Sequence, residues 1–538
     1  MQKLLLLGDE AIAQGALDAG LSGIYAYPGT PSTEITEFIQ HSKYAEEKHI
    51  HCTWSANEKT AMEAALGMSY AGKRTMVCMK HVGLNVAADP FINAAITGAN
   101  GGILVVAADD PSMHSSQNEQ DSRVYGKFAL VPILEPSNQQ EAYDMVHYGF
   151  DFSEKYSVPV LMRITTRMAH SRSGVVRRES VREPNELRLP SDLRQFVLLP
   201  SIAKRRYKNL LKNHTVFIEE SGHSPFNTYF DGLDKSLGIV VCGLGYNYLL
   251  ENYPDHKVPY PVLKIGQYPM PRGLVEKLAD ECKEILVIED GYPVVEELLK
   301  GYLGRGLKVK GRLDGTLPRD GELNPNLVAV ALGMKDTIGP SIPDLMVGRP
   351  PSLCSGCPHI DSYKALNEAL ATLPKGRVFS DIGCYTLGAL KPYEAINSCV
   401  DMGASITMAK GAADAGMVPA VAVIGDSTFT HSGMTGLLDA VYDKSPITIL
   451  ILDNGTTAMT GGQDSAAIGR IDDIVKGLGV EEEHIRILKP LRKNHEENVK
   501  IIMEELAYMG VSVIILRREC IVTIDKRMRD KFKKNQTT

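Results

Sequence analysis

Two short polar segments in the last third of the chain contain residue types that can hold magnesium. Gly425-Asp426-Ser427 follows one apolar segment directly, and Asn454-Gly455 follows the next one after 26 intervening residues (428 to 453). If both apolar segments are parallel strands, the polar segments meet at the carboxyl edge of a sheet, where such sheets bind ligands. Asp426 offers a carboxylate, Asn454 an amide oxygen and Thr456 a backbone carbonyl. These oxygens predict a Mg²⁺ site that is shared with phosphate groups.

The glycines of these segments favour a diphosphate as the partner of the metal. Gly425 and Gly455 have no Cβ, so the backbone can approach a phosphate closely. Ser427 can donate a hydrogen bond at a helix start, where anions bind. The arrangement resembles the thiamine-diphosphate motif, Gly-Asp-Gly followed by Asn after a similar interval, although Ser427 replaces the second glycine. On spacing alone, an Asp and an Asn at two ordinary loop starts explain the pattern equally well.

A carboxyl group in the first third of the chain is a candidate for the second part of such a site. Thiamine chemistry requires a carboxyl group that hydrogen-bonds the aminopyrimidine ring in an apolar environment. Glu58 follows the predicted strand 51–55 and opens the predicted helix 58–71, whose amino terminus can orient a buried carboxylate. A glutamate that only stabilises the helix dipole produces the same pattern, so position alone does not distinguish the two roles.

Four cysteines are spaced as candidate metal ligands. Cys354 and Cys357 form a Cys-x-x-Cys pair, Cys384 follows 27 residues later (384 − 357), and Cys520 follows after a further 136 (520 − 384). Four thiolates from one domain can hold a 4Fe–4S cluster. A tetrahedral zinc site and no metal at all remain open alternatives. Cys78, Cys242 and Cys399 are predicted to be small core side chains.

The elements that must position these residues alternate between short apolar segments and helical patterns. This alternation predicts an α/β fold with several doubly wound parallel sheets. The predicted strands are 24–27, 51–55, 75–79, 103–107, 158–163, 239–242, 285–289, 378–382, 418–424, 447–452 and 511–516.

Composition shifts divide the chain into three α/β domains with connectors. The predicted divisions are a pyrimidine-binding domain of the thiamine-diphosphate type (1–180), a linker with a solvated basic face (181–236), a smaller α/β domain (237–333), a second linker (334–351), a diphosphate-binding domain with the cysteines (352–520) and a polar, basic tail (521–538). The Gly243-Leu244-Gly245 turn lacks the third glycine of a dinucleotide fingerprint, so nucleotide binding is not predicted there.

The overall composition is typical of a globular protein. Hydrophobic residues make up 44% and charged residues 23% of the 538 residues, and the formal charge is −7. An acidic balance argues against nucleic-acid binding, and no apolar stretch approaches the roughly 20 residues that span a bilayer. The start of the chain does not have the pattern of a signal peptide. We therefore expect a cytoplasmic protein with reduced thiols.

Several longer segments resemble the large subunit of indolepyruvate:ferredoxin oxidoreductases, within the 2-oxo acid:ferredoxin oxidoreductase family. The similarity extends over nearly the whole chain. The segments that carry it are 27–34 (YPGTPSTE), 57–59 (NEK), 79–85 (MKHVGLN), 112–121 (SMHSSQNEQD), 354–359 (CSGCPH), 381–385 (DIGCY) and 456–461 (TTAMTG).

The resemblance implies roles for individual residues. Glu58 would activate the cofactor, and Thr30 would lie near the substrate carboxylate. His81 and His359 would be proton carriers, as His114 and His431 could be, although each taken singly can equally be structural. The cofactor-binding residues that we predict are Glu58, Met402, Gly403, Gly425, Asp426, Ser427, Asn454 and Thr456.

The resemblance also implies an activity and partners. The chain would oxidatively decarboxylate a 2-oxo acid, with indolepyruvate and other aryl pyruvates expected, using thiamine diphosphate, Mg²⁺ and a 4Fe–4S cluster. Coenzyme A would accept the acyl group. Because the two cofactor half-sites lie in different domains, a homodimer of this chain with a smaller second subunit is expected.

One departure from the family affects electron transfer. The related large subunits continue into a ferredoxin-like domain with further cysteines, whereas only residues 521–538 follow Cys520 here. Electrons would then pass to a ferredoxin or to a separate iron–sulfur subunit. Two alternatives stay open. One is a non-oxidative thiamine decarboxylase or carboligase, which needs no cluster, and the other is a non-catalytic subunit of an electron-transfer complex.

Overall fold

The computed structural model describes residues 2–188, 195–302, 308–335, 343, 345–348, 351–399 and 401–536. The chain divides into two compact units, Met1–Pro340 (unit 1) and Ser341–Thr538 (unit 2). Unit 1 therefore contains both of the first two predicted α/β domains. The predicted linker 334–351 lies largely outside the described residues.

Unit 1 contains three sheets built from strands that are mostly short and apolar. Its strands are β1 (Lys3–Leu7), β2 (Gly23–Ala26), β3 (His51–Trp54), β4 (Thr75–Lys80), β5 (Ile103–Asp109), β6 (Ile133–Leu134), β7 (Val160–Thr165), β8 (Arg172–Val176), β9 (Thr228–Phe230), β10 (Gly238–Cys242), β11 (Val262–Ile265), β12 (Gln267–Tyr268), β13 (Glu284–Ile288) and β14 (Lys308–Lys310).

The helices of unit 1 connect these strands. They are α1 (Gly8–Asp18), α2 (Thr33–Gln40), α3 (Lys43–Glu47), α4 (Glu58–Tyr70), α5 (His81–Val86), α6 (Ala88–Thr97), α7 (Arg123–Ala129), α8 (Gln139–Tyr156), α9 (Thr166–His170), α10 (Pro200–Gly222), α11 (Gly245–Leu250), α12 (Arg272–Glu281), α13 (Val294–Tyr302) and α14 (Pro325–Ala331).

The largest sheet has seven strands in the order β12-β6-β7-β5-β4-β2-β3. All its neighbouring pairs are parallel except β12 with β6. Every residue of β4, β5 and β7 is buried, as expected for parallel strands covered on both faces. The prediction of a doubly wound parallel α/β fold is confirmed.

A second, five-stranded sheet lies in the same unit, in the order β14-β13-β10-β11-β9. The strand β12 follows β11 after a single residue, yet it pairs with β6 of the seven-stranded sheet. Strands β1 and β8 form a separate antiparallel pair. The two predicted α/β domains of unit 1 therefore share a sheet.

A buried network of charged side chains also joins the two larger sheets of unit 1. Arg163 on β7 donates to Asp109 (2.7 Å) and to Glu135 (2.5 Å). It also donates to the backbone carbonyl of Asp290, which follows β13 (2.9 Å). Arg123 pairs with Glu289 at 2.9 Å. Both arginines are at most 1% exposed, so each carboxylate has a buried cation to offset its desolvation.

The predicted linker at 181–236 is wrong in part. It contains the 23-residue helix α10 and the strand β9, which pairs antiparallel with β11. The basic residues of α10 are largely exposed, as predicted, but Leu210 and Phe217 are buried in the core of the unit. Helix α10 is difficult to predict from the sequence because its apolar residues form only a narrow stripe on an otherwise polar helix.

Unit 2 contains one five-stranded parallel sheet, in the order β15-β16-β17-β19-β18. Its strands are β15 (Val378–Ser380), β16 (Ala420–Gly425), β17 (Ile447–Asp453), β18 (Ile485–Leu488) and β19 (Ser512–Arg517). Its helices are α15 (Pro358–Ala369), α16 (Ala404–Asp414), α17 (Asp426–Thr428), α18 (Met434–Tyr442), α19 (Ile471–Gly477), α20 (His495–Leu506) and α21 (Ile521–Gln536). The predicted tail is helix α21. Among the described residues, no helix has the length and apolar character that crossing a membrane would require.

Candidate active site

The Gly-Asp-Ser and Asn-Gly segments emerge side by side in unit 2. Gly425 is the last residue of β16, Asp426 begins α17, and Asn454 follows β17 directly. Strands β16 and β17 are parallel neighbours, paired along six residues each. Hydrogen bonds from the backbone of Ser427 and Gly455 reach the Asp426 carboxylate and lower its pKa. The two segments thus form one site at the carboxyl edge of the sheet.

The Asp426 carboxylate is left in an environment that suits a cation. It is 3% exposed, and its Oδ2 has no hydrogen-bond partner among the described residues. Burial, together with the nearby Asp453 carboxylate, raises the pKa of Asp426 to about 7. A buried acceptor without a donor is costly, and a bound Mg²⁺ would supply the missing positive charge. The residues present therefore fit this metal.

Asn454 is oriented by a buried histidine. Its Nδ2 lies 3.4 Å from Nε2 of His359, and its Oδ1 accepts from the backbone N–H of Thr456 at 3.1 Å. Burial lowers the pKa of His359 to about 4, so the ring is neutral and its Nε2 can accept from the amide. His359 therefore contacts Asn454, the predicted metal ligand, and this contact positions the amide.

Three glycines lie around the site, in different environments. Gly455 has φ +72°, and a Cβ there would meet no described atom within 4 Å. By contrast, a Cβ on Gly425 would lie 2.5 Å from the ring of Tyr385. Gly403, which caps α16 beside half-buried Met402, has φ +94°, and its Cβ would lie 2.6 Å from Ser432. Close packing accounts for Gly403 and Gly425, whereas the open backbone at Gly455 leaves room for a ligand such as a phosphate.

The sequence reasoning missed a buried carboxyl group near this site. Asp381 accepts from Ser405 Oγ at 2.5 Å and from the Tyr385 hydroxyl. Burial raises the pKa of Asp381 to about 7. Thr428 and Ser427 also bond to neighbouring loops, through Ile382 O (3.0 Å) and Thr457 Oγ1 (2.9 Å). Asp381 lies within the 381–385 segment of the family resemblance, which is the signal that could have identified it.

The four predicted cluster cysteines are electrostatic neighbours in unit 2. Burial, together with the thiols of Cys520, Cys357 and Cys354, raises the pKa of Cys384 to about 12. Burial also raises the pKa of Cys357 to about 11, and Cys354 and Cys520 contribute in the same direction. Thiols that resist ionisation in isolation are deprotonated when they bind a metal. All four are free cysteines, of which Cys354 is exposed.

The cysteine set is linked to the loop that carries Asn454. The backbone N–H of Cys520 donates to Asn454 O at 3.0 Å. Among the described residues, no three thiol sulfurs lie within 4.8 Å of one another. Cys78 and Cys242 are buried, as predicted, whereas Cys399 is exposed and that prediction is wrong.

Glu58 lies at the start of α4 in unit 1, as predicted. It is 5% exposed, and Asn57 caps the helix by accepting from the Thr60 N–H at 2.8 Å. Its carboxyl group packs against the backbone of Gly83 in α5, where a Cβ would lie 2.6 Å from Glu58 Oε1. The Glu58 carboxyl is therefore held between a helix amino terminus and a glycine from the next strand connection.

Thr30 and His81 lie on neighbouring connections at the same edge of the sheet. Thr30 is half-buried in the loop after β2, next to Gly29, whose Cβ would lie 3.2 Å from Lys80 Cβ. His81 follows β4, is 1% exposed, and its Nε2 lies 3.3 Å from Asn118 O. The connections after β2, β3 and β4 thus bring Thr30, Glu58 and His81 to one edge of the seven-stranded sheet.

Lys80 is a second residue that the sequence reasoning missed. Its ammonium group donates to Ser115 O at 2.6 Å and is largely buried. Burial lowers the pKa of Lys80 to about 8, although the Asp110 carboxylate acts in the opposite direction.

The other two candidate histidines, His114 and His431, differ in environment. His114 is exposed beside Glu322 (3.3 Å), whereas His431 is buried with its Nδ1 2.6 Å from Ser432 Oγ.

Two family profiles match the chain, one in each unit. Residues 14–196 match "Pyruvate flavodoxin/ferredoxin oxidoreductase, thiamine diP-bdg". Residues 381–487 match "Thiamine pyrophosphate enzyme, C-terminal TPP binding domain". The first range includes Thr30, Glu58 and His81, and the second includes Asp426 and Asn454. Both matched ranges are thus of thiamine-diphosphate-binding type.

Relatives and one solved structure agree with these matches. The 2-oxoglutarate:ferredoxin oxidoreductase of Magnetococcus marinus superposes with a TM-score of 0.50 at 14% identity, over 62% of this chain and 65% of that one, which supports the fold alone. The indolepyruvate oxidoreductase subunit IorA of Archaeoglobus fulgidus is 39% identical over 98% of this chain and 88% of its own length. The protein of the same name from Methanothermobacter thermautotrophicus is 38% identical over 97% of this chain and 87% of its own length. The chain therefore belongs to the family of indolepyruvate oxidoreductase IorA subunits.

Proposed function

We propose that the chain is the thiamine-diphosphate-binding subunit of a 2-oxo acid:ferredoxin oxidoreductase that converts aryl pyruvates such as indolepyruvate to acyl-coenzyme A. One observation carries this proposal. Asp426, with an unpartnered buried oxygen, and Asn454 lie on adjacent strand ends, and Cys520 is hydrogen-bonded to the backbone of Asn454. A non-oxidative thiamine decarboxylase has no use for the cysteine set beside its metal site.

The residues of the chain have separate roles in this proposal. Asp426, Asn454 and the Thr456 carbonyl hold Mg²⁺, and Gly403, Gly425, Ser427 and Gly455 accommodate the diphosphate. Bound thiamine diphosphate supplies the nucleophilic carbon and the electron sink that decarboxylation requires. His359 orients the Asn454 amide.

The residues of unit 1 bind substrate and move protons in this proposal. Glu58 exchanges a proton at its carboxyl group, which Gly83 holds in place. The Thr30 hydroxyl binds the substrate carboxylate. His81 donates from Nε2 to the Asn118 carbonyl in the structure, so its Nδ1 is the ring atom that remains to carry a proton.

The redox part of the proposal assigns a 4Fe–4S cluster to Cys354, Cys357, Cys384 and Cys520. The mutual electrostatic influence of the four thiols and the number of cysteines brought together in one unit support this assignment. We infer that its electrons pass to a ferredoxin or to a separate iron–sulfur subunit. A homodimer of this chain with a smaller second subunit is the assembly that we propose.

Iron and acid-labile sulfide content, with EPR after dithionite reduction, tests this assignment on protein that is purified without oxygen. About four irons per chain are expected in the native protein, as a 4Fe–4S cluster requires. Cys384→Ser should lose the cluster signal, whereas Cys399→Ser, at an exposed cysteine outside the set, should keep it. Iron-free native protein that still binds thiamine diphosphate would instead identify a non-oxidative decarboxylase.

A further inference from the structure

Three side chains in unit 1, outside the candidate active site, converge from separate helices. Asp9 lies in the first turn of α1, Glu34 in the first turn of α2, and His170 is the last residue of α9. One potential ligand atom from each lies within 4.8 Å of the other two. His170 Nε2 is 3.5 Å from Glu34 Oε1. The arrangement brings two carboxylates and one imidazole to one point.

Asp9 is completely buried next to another carboxyl group, that of Glu34. Its side chain is 0% exposed, and neither carboxylate oxygen has a hydrogen-bond partner among the described residues. The Oε2 atom of Glu34 is buried and unpartnered in the same way. Burial, with the charges of Glu34 and Glu10, raises the pKa of Asp9 well above its usual range. Such a carboxyl group requires either a proton or a cation.

The surroundings of the three residues attract a cation. A surface cavity of about 370 Å³ is lined in part by Glu10, Glu34, Glu37 and His41. Glu34 belongs both to this cavity and to the buried trio, so the cavity lies next to the trio. Three of the seven residues that line it are glutamates. Arg172 lies 3.7 Å from Glu10, with its side chain 57% exposed.

The donor set selects the kind of ion. Two carboxylates and one imidazole are ligands of Zn²⁺ and of other divalent transition metals, whereas Mg²⁺ prefers an all-oxygen shell. Metal–ligand bonds of about 2.0–2.2 Å place the ligand atoms of one ion roughly 3–3.5 Å apart. The observed spacing approaches this value, so small side-chain movements would complete the site.

We propose that Asp9, Glu34 and His170 bind a divalent transition-metal ion that is separate from the Mg²⁺ of the candidate active site. The ion links α1, α2 and α9. Because α2 begins three residues after Thr30, a metal at Glu34 also holds the loop that carries Thr30. The competing arrangement is a protonated Asp9 that donates to the Glu34 carboxylate without any metal.

Titration of the full-length protein with Mn²⁺, after loading with thiamine diphosphate and Mg²⁺, distinguishes these arrangements. We expect one bound Mn²⁺ per chain by EPR, with nitrogen coupling from the His170 imidazole in pulsed spectra. Asp9→Asn, which preserves side-chain volume, should weaken Mn²⁺ binding at least 10-fold. His170→Gln, at a partly exposed position, should abolish the nitrogen coupling. Asp426→Asn should leave this Mn²⁺ in place.

Glu483→Gln is the matched control, because Glu481, Glu483 and His484 form a similar but exposed trio. It should bind Mn²⁺ as the native protein does. The proposal is wrong if native protein and Asp9→Asn give the same titration, or if bound Mn²⁺ lacks nitrogen coupling. Either result would exclude a metal at this trio and leave the arrangement in which a protonated Asp9 is hydrogen-bonded to Glu34.

Discussion

At the scale of single residues, burial alters the acid–base properties of several groups near the candidate active site. Burial raises the pKa values of Asp426 and Asp381 to about 7 and lowers the pKa of His359 to about 4. The sequence indicated which residues carry the chemistry but not these shifts, because a pKa depends on what packs around the group. Nothing in the sequence near His359 shows that the ring contacts Asn454, 95 residues later.

Lys80 provides a test of such a shift through the pH dependence of stability. Its pKa is about 8 in the folded chain, below the roughly 10.4 of an unfolded lysine. Between these values the unfolded chain binds more protons, so the Lys80 contribution to stability rises with pH. Lys80→Met should therefore stabilise the protein relative to native at pH 7, and this advantage should shrink as the pH rises from 8 to 10.

Urea unfolding of both proteins at pH 7 and pH 10 measures this difference. Lys59→Met, at an exposed lysine that pairs with Glu63, is the control and should change the free energy of unfolding by at most about 1 kcal/mol. If the difference in the free energy of unfolding between Lys80→Met and native protein were the same at pH 7 and pH 10, the lowered pKa of Lys80 would be contradicted.

At the scale of elements, the strand connections place the predicted site residues, and most of these strands were predictable. Strands such as β5 and β17 are uninterrupted apolar segments, so their positions follow from the sequence. The two-residue strands β6 and β12 are too short to leave a pattern. The contact between Glu58 and Gly83 was also not predictable, since it depends on how the connections after β3 and β4 approach each other.

That contact leads to a prediction about Gly83→Ala. The new Cβ would lie 2.6 Å from Glu58 Oε1, so the carboxyl group must move. A displacement of this size at a reacting group can lower activity about 10²-fold. We expect reduced kcat with thiamine diphosphate still bound, measured by decarboxylation of a 2-oxo acid with a viologen acceptor. Glu58→Gln, which lacks the carboxyl group altogether, should give the lowest activity in the same assay.

Gly67→Ala is the matched control for this substitution. Gly67 lies inside α4, and a Cβ there would meet no described atom within 4 Å. Alanine is favoured over glycine in a helix interior by about 0.5–1 kcal/mol. The variant should keep full activity and gain slightly in stability. Equal activity in Gly83→Ala and Gly67→Ala would show that the Glu58 carboxyl position is not critical.

At the scale of the whole molecule, the sequence suggested three domains where the chain forms two compact units. The first two predicted domains are joined by β12 and by the network of Arg163 and Arg123. The composition could not predict that these two domains are joined, because a sequence does not show whether a charged residue is buried or lies at the surface. The predicted connector at 334–351 lies largely outside the described residues and stays a prediction.

The Arg163 network predicts a large loss of stability in Arg163→Met. Removal of the guanidinium leaves Asp109 and Glu135 buried without this partner, which typically costs 3–5 kcal/mol. Lys155→Met, which breaks the exposed pair with Glu220, should cost at most about 1 kcal/mol. The urea midpoint of the first unfolding transition measures both. Similar midpoints for the two variants would mean that the network does not stabilise unit 1.

The placement of β12 has a consequence for the synthesis of the protein. Strand β6, which is an edge strand until β12 pairs with it, ends at Leu134, and β12 begins at Gln267, 133 residues later (267 − 134). At translation rates of about 5–20 residues per second, β6 emerges from the ribosome roughly ten seconds before β12. An unpaired edge is a template for aggregation during that interval. Slow codons between these two strands would therefore lengthen the period in which the nascent chain depends on chaperones.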